Sequence, residues 1–390
     1  MFTIIKRVMR IAGRECIRLK RNPAYLLCMV VFPAITALYF TSLMGEGVPE
    51  NMPVGIVDLD NTATTRKLSR TIDAMQSTKV VARYNDFAAA RQSAQRGEIY
   101  GFVCFHKGFT DELLSSRRPQ LPFYYSNSSL TAGSLVFRDL KTSATLASAS
   151  VGASVLTAKG LTEKQVETFL QPIKVDLHPL GNPWASYNIY LSVMLVPGAL
   201  MLFVFLTTAY SIGSELKNRT SRQWLAAARG NMLVALLGKL LPQTVVYLMM
   251  FFGFMAYIFY GLGFPHNGSI LSTVAIGLLT ITAGQGLGAF LFGVYPSMRM
   301  SMSVCSLLAV LSFSLVGTAF PTFSMSPALE GIACLFPLRH YFMAYQICIL
   351  NGFPLSYVWP DMVALLALSL SPMLLLYRIR KAIAEYVYLP

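Results

Sequence analysis

The sequence predicts a polytopic α-helical membrane protein with an α/β domain inserted between its first two membrane spans. Of its 390 residues, 54% are hydrophobic and only 13% are charged, whereas soluble domains average about 25% charged residues. A helix of about 20 apolar residues can cross a bilayer core, because it satisfies its own backbone hydrogen bonds. Six segments meet that length: 23–44, 186–212, 233–260, 269–295, 300–320 and 358–377.

The distribution of charge predicts the orientation of these spans. Residues 45–184 carry 15 basic and 13 acidic side chains, whereas the rest of the chain carries 17 basic and 5 acidic ones. Outside 45–184, all the basic residues except Arg339 fall in segments that six spans would place on one side. The positive-inside rule therefore predicts a multi-pass protein of the cytoplasmic (inner) membrane, with both termini cytoplasmic and 45–184 outside. We expect no nucleic-acid partner, since the net charge of +14 is explained by topology.

Residues 1–22 are predicted to form a cytoplasmic amphipathic helix that contacts membrane lipids. Five arginines fall within an arc of about 80° on a helical wheel, with apolar side chains on the opposite arc. Such a helix lies at the membrane interface with its cations near anionic headgroups. Asn22-Pro23 ends it before the first span, 23–44. The arginines are Arg7, Arg10, Arg14, Arg18 and Arg21.

Residues 45–184 have the pattern of an α/β domain. Short β-branched or aromatic runs alternate with polar segments that begin with capping residues. The predicted strands are Val54–Val57, a strand beginning at Val80, Tyr100–Phe105, Leu121–Tyr125 and Ile173–Leu177. The predicted helices are one capped by Asn61 or Thr62, then 86–96, a long helix or helix pair over 126–158, and 162–170.

The segment Asp58-Leu59-Asp60-Asn61-Thr62 matches the DxDxT motif of haloacid dehalogenase-type phosphatases. Two carboxylates after a strand could serve metal-assisted phosphate chemistry. We find no convincing later acidic pair to hold magnesium, so we favour the alternative of a strand end followed by a helix cap.

Residues 185–378 are predicted to form the membrane bundle of spans 2–6, followed by a cytoplasmic tail, 379–390. A charged cytoplasmic loop at 213–231 follows span 2, and residues 321–357 are too polar for a span and are predicted as external re-entrant helices. Whether Cys334 and Cys348 are bonded is left open.

The spans offer no internal source of energy for transport. They hold essentially no ionisable residues at membrane depth, which argues against ion coupling. No phosphate-binding loop motif is present, since Gly238-Lys239 is followed by Leu. A transporter of this composition would need an ATPase partner, and we expect this chain itself to bind no cofactor and to be no enzyme.

An ordered set of motifs resembles the permease subunit of ABC-2-type (type V exporter-like) ABC transporters, in the drug- and lipid-exporter branch. The external opening strand Val54–Asp60 with Asn61, the Val196-Pro197-Gly198 entry into span 2, and the Phe320-Pro321 to Phe336-Pro337-Leu338 signature are similar to that family's. Glu215, Thr220 and Gly238-Lys239 fall on its E-x-E-x-G-T…GK pattern. Lys217 and Arg219 replace the second Glu and the Gly, which would retune the ATPase contact or indicate half of a heterodimer.

The resemblance implies an ATP-driven multidrug or lipid exporter that moves a lipophilic or amphiphilic substrate outward. Its expected partners are an ATPase that binds ATP-Mg, a second permease (identical or unlike), and a periplasmic adaptor with an outer-membrane channel. Expected coupling residues are Arg14, Arg18, Glu215, Lys217, Thr220, Arg222 and Trp224. Expected residues of the substrate path are Pro197, Gly198, Phe205, Phe313 and Phe320.

A second hypothesis remains open from the sequence, namely a membrane-anchored envelope receptor or structural protein with an external α/β domain. It differs from an exporter in needing no ATPase partner.

Overall fold

Six helices in the computed structural model are long and apolar enough to cross a membrane, as the sequence predicts. The structure describes residues 2–115, 117, 119–173, 176, 178, 179, 181–318 and 320–385. Spans 1 to 6 are, in order, Pro23–Leu43, Tyr187–Lys217, Met232–Gly261, Ile270–Val294, Met298–Leu315 and Leu355–Glu385. An amphipathic helix α1 (Phe2–Arg21) precedes span 1, and Asn22 caps the start of that span by accepting a hydrogen bond from Ala24 N.

The chain divides into two units, 46–178 and the combination of 1–45 with 179–390. The smaller unit contains a four-stranded sheet in the order β2-β1-β3-β4, in which β4 alone is antiparallel to its neighbour. Its strands are β1 (Met52–Asp58), β2 (Thr78–Tyr84), β3 (Gly101–Phe105) and β4 (Phe123–Tyr125). Its helices are α2 (Ala63–Asp73), α3 (Phe87–Gln95), α4 (Phe109–Leu114), α5 (Leu130–Ala158) and α6 (Glu163–Leu170).

Both faces of this sheet are covered because apolar residues occur at successive positions in its central strands. Val54 and Ile56 of β1 pack with α2 and α5, whereas Val57 packs on the other face with Ala90 of α3. Side chains alternate between faces along a strand, so an apolar run fits a strand buried on both sides. The smaller unit is therefore a three-layer α/β arrangement.

The predicted elements of this unit are present at nearly the expected positions. Residues 126–158 contain one helix, α5, and not a helix pair. The short helix α4 was not predicted, because six residues are too few to show helical periodicity. The predicted strand Ile173–Leu177 includes residues outside the described part of the chain.

The two carboxylates of the DxDxT segment are engaged in turns and caps. Asp58 Oδ1 accepts hydrogen bonds from Asp60 N and Asn61 N at 3.1 and 2.7 Å. Asp60 accepts from Gly108 N at 2.8 Å, and from both the backbone and hydroxyl of Thr110 at 3.0 and 2.6 Å. Thr62 is the N-cap residue of α2. The structure thus supports a strand end followed by a cap.

The hydroxyl and backbone N–H of Thr110 hold the pKa of Asp60 below its ordinary value. A lowered pKa in the folded state means that the ionised form stabilises the fold above the unfolded pKa, and that this stability is lost as pH falls through the folded pKa. We expect Asp60→Asn to speed hydrogen exchange at 108–114 at pH 7, with a smaller difference from wild type near pH 3. Asp111→Asn, an exposed carboxylate in the same helix, is the control. Equal exchange in Asp60→Asn and wild type at pH 7 would contradict the prediction.

Span 2 is the central helix of the bundle, and its packing depends on small residues in its neighbours. It contacts spans 1, 3, 4 and 5. A Cβ added to Gly284 or Gly288 of span 4 would lie 3.0 to 3.2 Å from Val204 side-chain or Phe205 backbone atoms. Small residues allow such close approach between membrane helices, where packing provides the attraction.

Residues 321–357 form the predicted broken helical pair. Span 2 is helix α7 (Tyr187–Lys217), and the short helix α8 (Ser221–Ala227) follows it. The pair consists of α9 (Pro327–Ala333) and a helix over Pro337–Leu350, which are bent by 89°. The pair packs on the turn between spans 3 and 4, where Asn267 N and Gly268 N both donate to Ile349 O at 3.0 Å. All six cysteines, including Cys334 and Cys348, are free thiols.

Candidate coupling site

Helix α1 packs directly on span 3 through a face that lies between its arginine arc and its apolar arc. Ile11, Ala12 and Glu15 are buried on this face. A Cβ on Gly238 of span 3 would lie 2.7 Å from Ile11 Cβ and 2.9 Å from Val8 O. Gly238 therefore allows contact between the two helices, and this contact brings the polar side chains of α1 against spans 2 and 3.

Five charged residues meet where α1 contacts these two spans, and we call them the charge cluster: Arg14, Glu15, Arg18, Glu215 and Lys239. Lys239 Nζ lies 2.7 Å from Glu215 Oε1 and 3.0 Å from Glu15 Oε1. Arg18 Nη1 lies 2.6 Å from Glu215 Oε1. Arg14 Nη2 also contacts Glu215 and lies 2.9 Å from Glu15 Oε1. One glutamate of span 2 thus accepts from three cations on two other helices.

Burying the charges of this cluster costs free energy. The side chains of Glu15, Glu215 and Lys239 are 0% exposed. Each buried ion loses several kcal/mol of hydration, which is offset only by close opposite charges and hydrogen bonds. Burial alone would lower the pKa of Arg18, but Glu215 and Glu15 outweigh it and raise this pKa above its ordinary value. The cluster is stable only while its three helices stay together.

The cluster continues into the loop after span 2. The Thr220 hydroxyl donates to Glu215 and accepts from Arg18 Nη2 at 3.1 Å, and Ser221 Oγ donates to Glu215 O at 3.1 Å. Trp224 of α8 is 0% exposed, and its Nε1–H donates to Ala235 O at 3.2 Å. Lys239 Nζ lies 4.8 Å from the centroid of the Trp224 ring, a cation–π arrangement. Helix α8 is therefore held to both spans.

The predicted coupling residues divide into an inward and an outward set. Arg14, Arg18, Glu215 and Thr220 contact one another, and Trp224 is internal, so none of these forms a free docking face. Lys217 and Arg222 are exposed. Arg222 lies beside an open groove of about 330 Å³ that also contacts Leu225, Arg229 and Ala384 at the end of span 6.

The predicted substrate-path residues do not form one surface. A Cβ on Gly198 would lie 2.4 Å from the Phe313 ring, so these two residues pack spans 2 and 5 together. Pro197 lines a separate apolar cavity between spans 1, 2 and 3. Phe205 is 0% exposed inside the bundle, whereas Phe320 is 52% exposed beyond the end of span 5.

Two members of the cluster, Glu15 and Lys239, were not among the predicted site residues. Glu15 is the only acidic residue before position 46, and Lys239 interrupts an otherwise apolar span. Each is a charge in an unfavourable sequence context, which is the signal that could have identified it. Among the described residues, no group of three or more His, Cys, Asp or Glu side chains could hold a metal ion.

The comparison with protein families decides the class of protein. The model described as "ABC-2 family transporter protein" matches residues 23–378. The chain belongs to this family. No curated protein and no solved structure gives a match. The ABC-2 family generally supplies the non-catalytic membrane component of an ABC transporter, which implies an ATPase partner. This chain is therefore an ABC transporter permease.

Position 219, where the family pattern has Gly, has a left-handed backbone in this permease. Arg219 has a φ of 55°, and the chain reverses there between span 2 and α8, with Thr220 N donating to Glu215 O at 2.9 Å. A side chain in this region costs about 1–2 kcal/mol, a cost that glycine avoids.

We expect Arg219→Gly to stabilise the permease by about 1 kcal/mol, because glycine removes this backbone strain. The measurement is the melting temperature of the purified protein in detergent, which should rise. Lys217→Gly is the matched control: it also removes a basic side chain, but from helical backbone, and should lower the melting temperature. A decrease in both variants would show that the Arg219 side chain itself stabilises the loop.

Replacing Glu215 should destabilise the permease more than replacing Lys239. Glu215→Gln leaves three cations facing Glu15 alone and should cost about 3–5 kcal/mol. Lys239→Met leaves two arginines facing two glutamates and should cost less. Thermal melting in detergent checks the order, and a greater loss in Lys239→Met would contradict it.

Proposed function

We propose that this permease is the membrane subunit of an exporter that moves a lipophilic or amphiphilic substrate outward across the cytoplasmic membrane, driven by a separate ATPase. The observation that carries the proposal is the charge cluster. It joins an amphipathic N-terminal helix to two membrane helices at the end of the bundle where basic residues collect. An ATPase on that side would act on helices already joined to the spans.

The proposed transmission depends on the rigidity of these contacts. A force on α1 cannot separate Arg18 from Glu215 without leaving buried charges unpaired, and unpaired buried charges cost free energy. A displacement of α1 or α8 therefore shifts spans 2 and 3 with it as one body, in the manner of rigid-body switching. Trp224 contributes by fixing α8 to span 3 through its indole N–H.

The outward set of coupling residues is the proposed contact with the ATPase. Lys217, Arg222 and Arg229 are exposed cations around the groove beside α8. We infer that acidic side chains of the ATPase meet this surface, since opposite charges at an interface raise the association rate and fix orientation. ATP and Mg²⁺ bind the ATPase and not this chain.

The apolar cavity supports a lipophilic substrate class. It has a volume of about 240 Å³ and is lined mostly by aliphatic and aromatic side chains, among them Pro33, Pro197, Leu200 and Phe254. Apolar walls favour ligands whose transfer from water is favourable. The remaining assembly follows the family resemblance: two permeases, identical or unlike, and an adaptor with an outer-membrane channel outside.

The proposal is tested by co-expression with ATPases encoded nearby, followed by co-purification and measurement of permease-dependent ATP hydrolysis. If no candidate ATPase co-purifies with the permease and none shows permease-dependent ATP hydrolysis, the exporter function is rejected. The envelope-receptor hypothesis would then be favoured.

We expect Arg222→Glu to reduce permease-dependent ATP hydrolysis at least about fivefold, because charge reversal at an interface costs on the order of 1 kcal/mol or more. The melting temperature should not change, since Arg222 is exposed. Arg299→Glu, an exposed arginine at the start of span 5, is the control and should retain stimulation. An equal loss of ATP hydrolysis in both variants would contradict the prediction, because it would show an effect of net charge and not of a contact at this groove.

A further inference from the structure

A pocket of about 350 Å³ lies beside the charge cluster, between α1, the start of span 1 and the end of span 2. This volume is within the range of about 300–1,000 Å³ that is typical of small-ligand sites. Its polar lining consists chiefly of donors: Arg14, Arg18, Arg21, Tyr25, Asn218 and Gln223. We call it the basic pocket.

The basic pocket has an excess of positive charge. The charge cluster holds three cations and two carboxylates, both of which are already shared among those cations. Arg21 adds a further cation to the pocket and lies in none of the ion pairs of the described residues. No carboxylate lines the pocket. An anion bound there would complete the charge balance.

Two buried donors at the pocket lack hydrogen-bond partners. Tyr25 is 2% exposed, and its hydroxyl makes no hydrogen bond of ordinary geometry among the described residues, although the Ser214 side chain lies beside it. The Nε of Arg14 is likewise buried without a partner. A buried polar group without a hydrogen bond is unfavourable, and an acceptor bound in the pocket would satisfy such a group. The neighbouring Asn22 is engaged, since its Nδ2 donates to Tyr210 Oη at 3.1 Å.

We propose that the basic pocket binds a phosphate group, supplied by the headgroup of an anionic phospholipid. Arginine side chains match the geometry of phosphate oxygens and remain charged at any physiological pH. An apolar side chain, Ile17, lines the pocket and is 58% exposed, and Leu26, the residue after the pocket-lining Tyr25 in span 1, is also 58% exposed. These side chains suit acyl chains, which a soluble phosphate lacks.

The position of the pocket fits the membrane surface where the basic residues collect. Amphipathic helix α1 exposes Ile5 and Met9 in addition to Ile17, as expected for a helix that lies among headgroups. A bound lipid would occupy the junction of α1 with spans 1 and 2 and would join the same elements as the charge cluster. This site does not depend on the proposed ATPase partnership.

The test measures binding of short-chain phosphatidylglycerol to the full chain in detergent by native mass spectrometry and by the shift in melting temperature. Arg21→Gln and Tyr25→Phe should each weaken binding about tenfold, the loss expected for one hydrogen bond to a charged group. Lys20→Gln is the matched control. It removes the same charge from the neighbouring position outside the pocket and should change binding less than about twofold.

Tyr25→Phe also separates binding from folding. Its hydroxyl makes no hydrogen bond of ordinary geometry among the described residues, so the melting temperature without lipid should stay equal or rise, and only the lipid-dependent shift should fall. A lower melting temperature with unchanged lipid affinity would show a structural role and overturn the proposal.

Two further ligands identify the source of the phosphate. Phosphatidylcholine carries a cation beside its phosphate and should bind more weakly than phosphatidylglycerol. Equal binding of both lipids, or equal loss in Lys20→Gln and Arg21→Gln, would overturn the site. Inorganic phosphate that stabilises the protein when phosphatidylglycerol does not would overturn the lipid assignment in favour of a soluble phosphate.

Discussion

The buried contact between Lys239 and Glu215 is the interaction on which the organisation of the membrane unit depends. Both side chains are 0% exposed, and a buried charge is costly unless close opposite charges offset its lost hydration. Glu15, Arg14 and Arg18 complete the cluster, and all three belong to α1. The position of the N-terminal helix is therefore set by charges buried in spans 2 and 3, together with the close contact that Gly238 allows.

This constraint changes the meaning of the charged loop after span 2. Its sequence suggests a surface on which a partner would dock, with Glu215 as the leading residue. The structure turns Glu215 and Trp224 inward and leaves Lys217 and Arg222 outside. The coupling proposed above would then have two parts: an outer set of cations that meets the ATPase, and an inner set that joins α1, α8 and two spans.

The sequence was sufficient for the fold class and for the elements whose signal is local. Span length, β-branched runs and a helix cap at Asn61 or Thr62 can each be recognised within a few residues. The structure has the six spans and the sheet, and it identifies Thr62 as the cap. The charge cluster could not be recognised from a local pattern, because its members lie far apart in the sequence: Arg14 and Glu215 are 201 positions apart. Helical periodicity placed the arginines of α1 on one arc, but it could not show that Arg14 and Arg18 turn toward a glutamate on another helix.

The chemistry of the membrane interior explains why the five residues predicted for the substrate path do not form one surface. Apolar residues in a membrane bundle serve packing as readily as ligand binding, since lipid tails and apolar side chains are chemically alike there. Gly198 and Phe313 are an example of packing, because the Phe313 ring occupies the space that a larger side chain at position 198 would need. Buried polar groups carry more information, since each needs a partner. The Tyr25 hydroxyl and Arg14 Nε lack one beside a pocket that three arginines line, and this combination of free donors with excess positive charge is the basis for the anion proposed there.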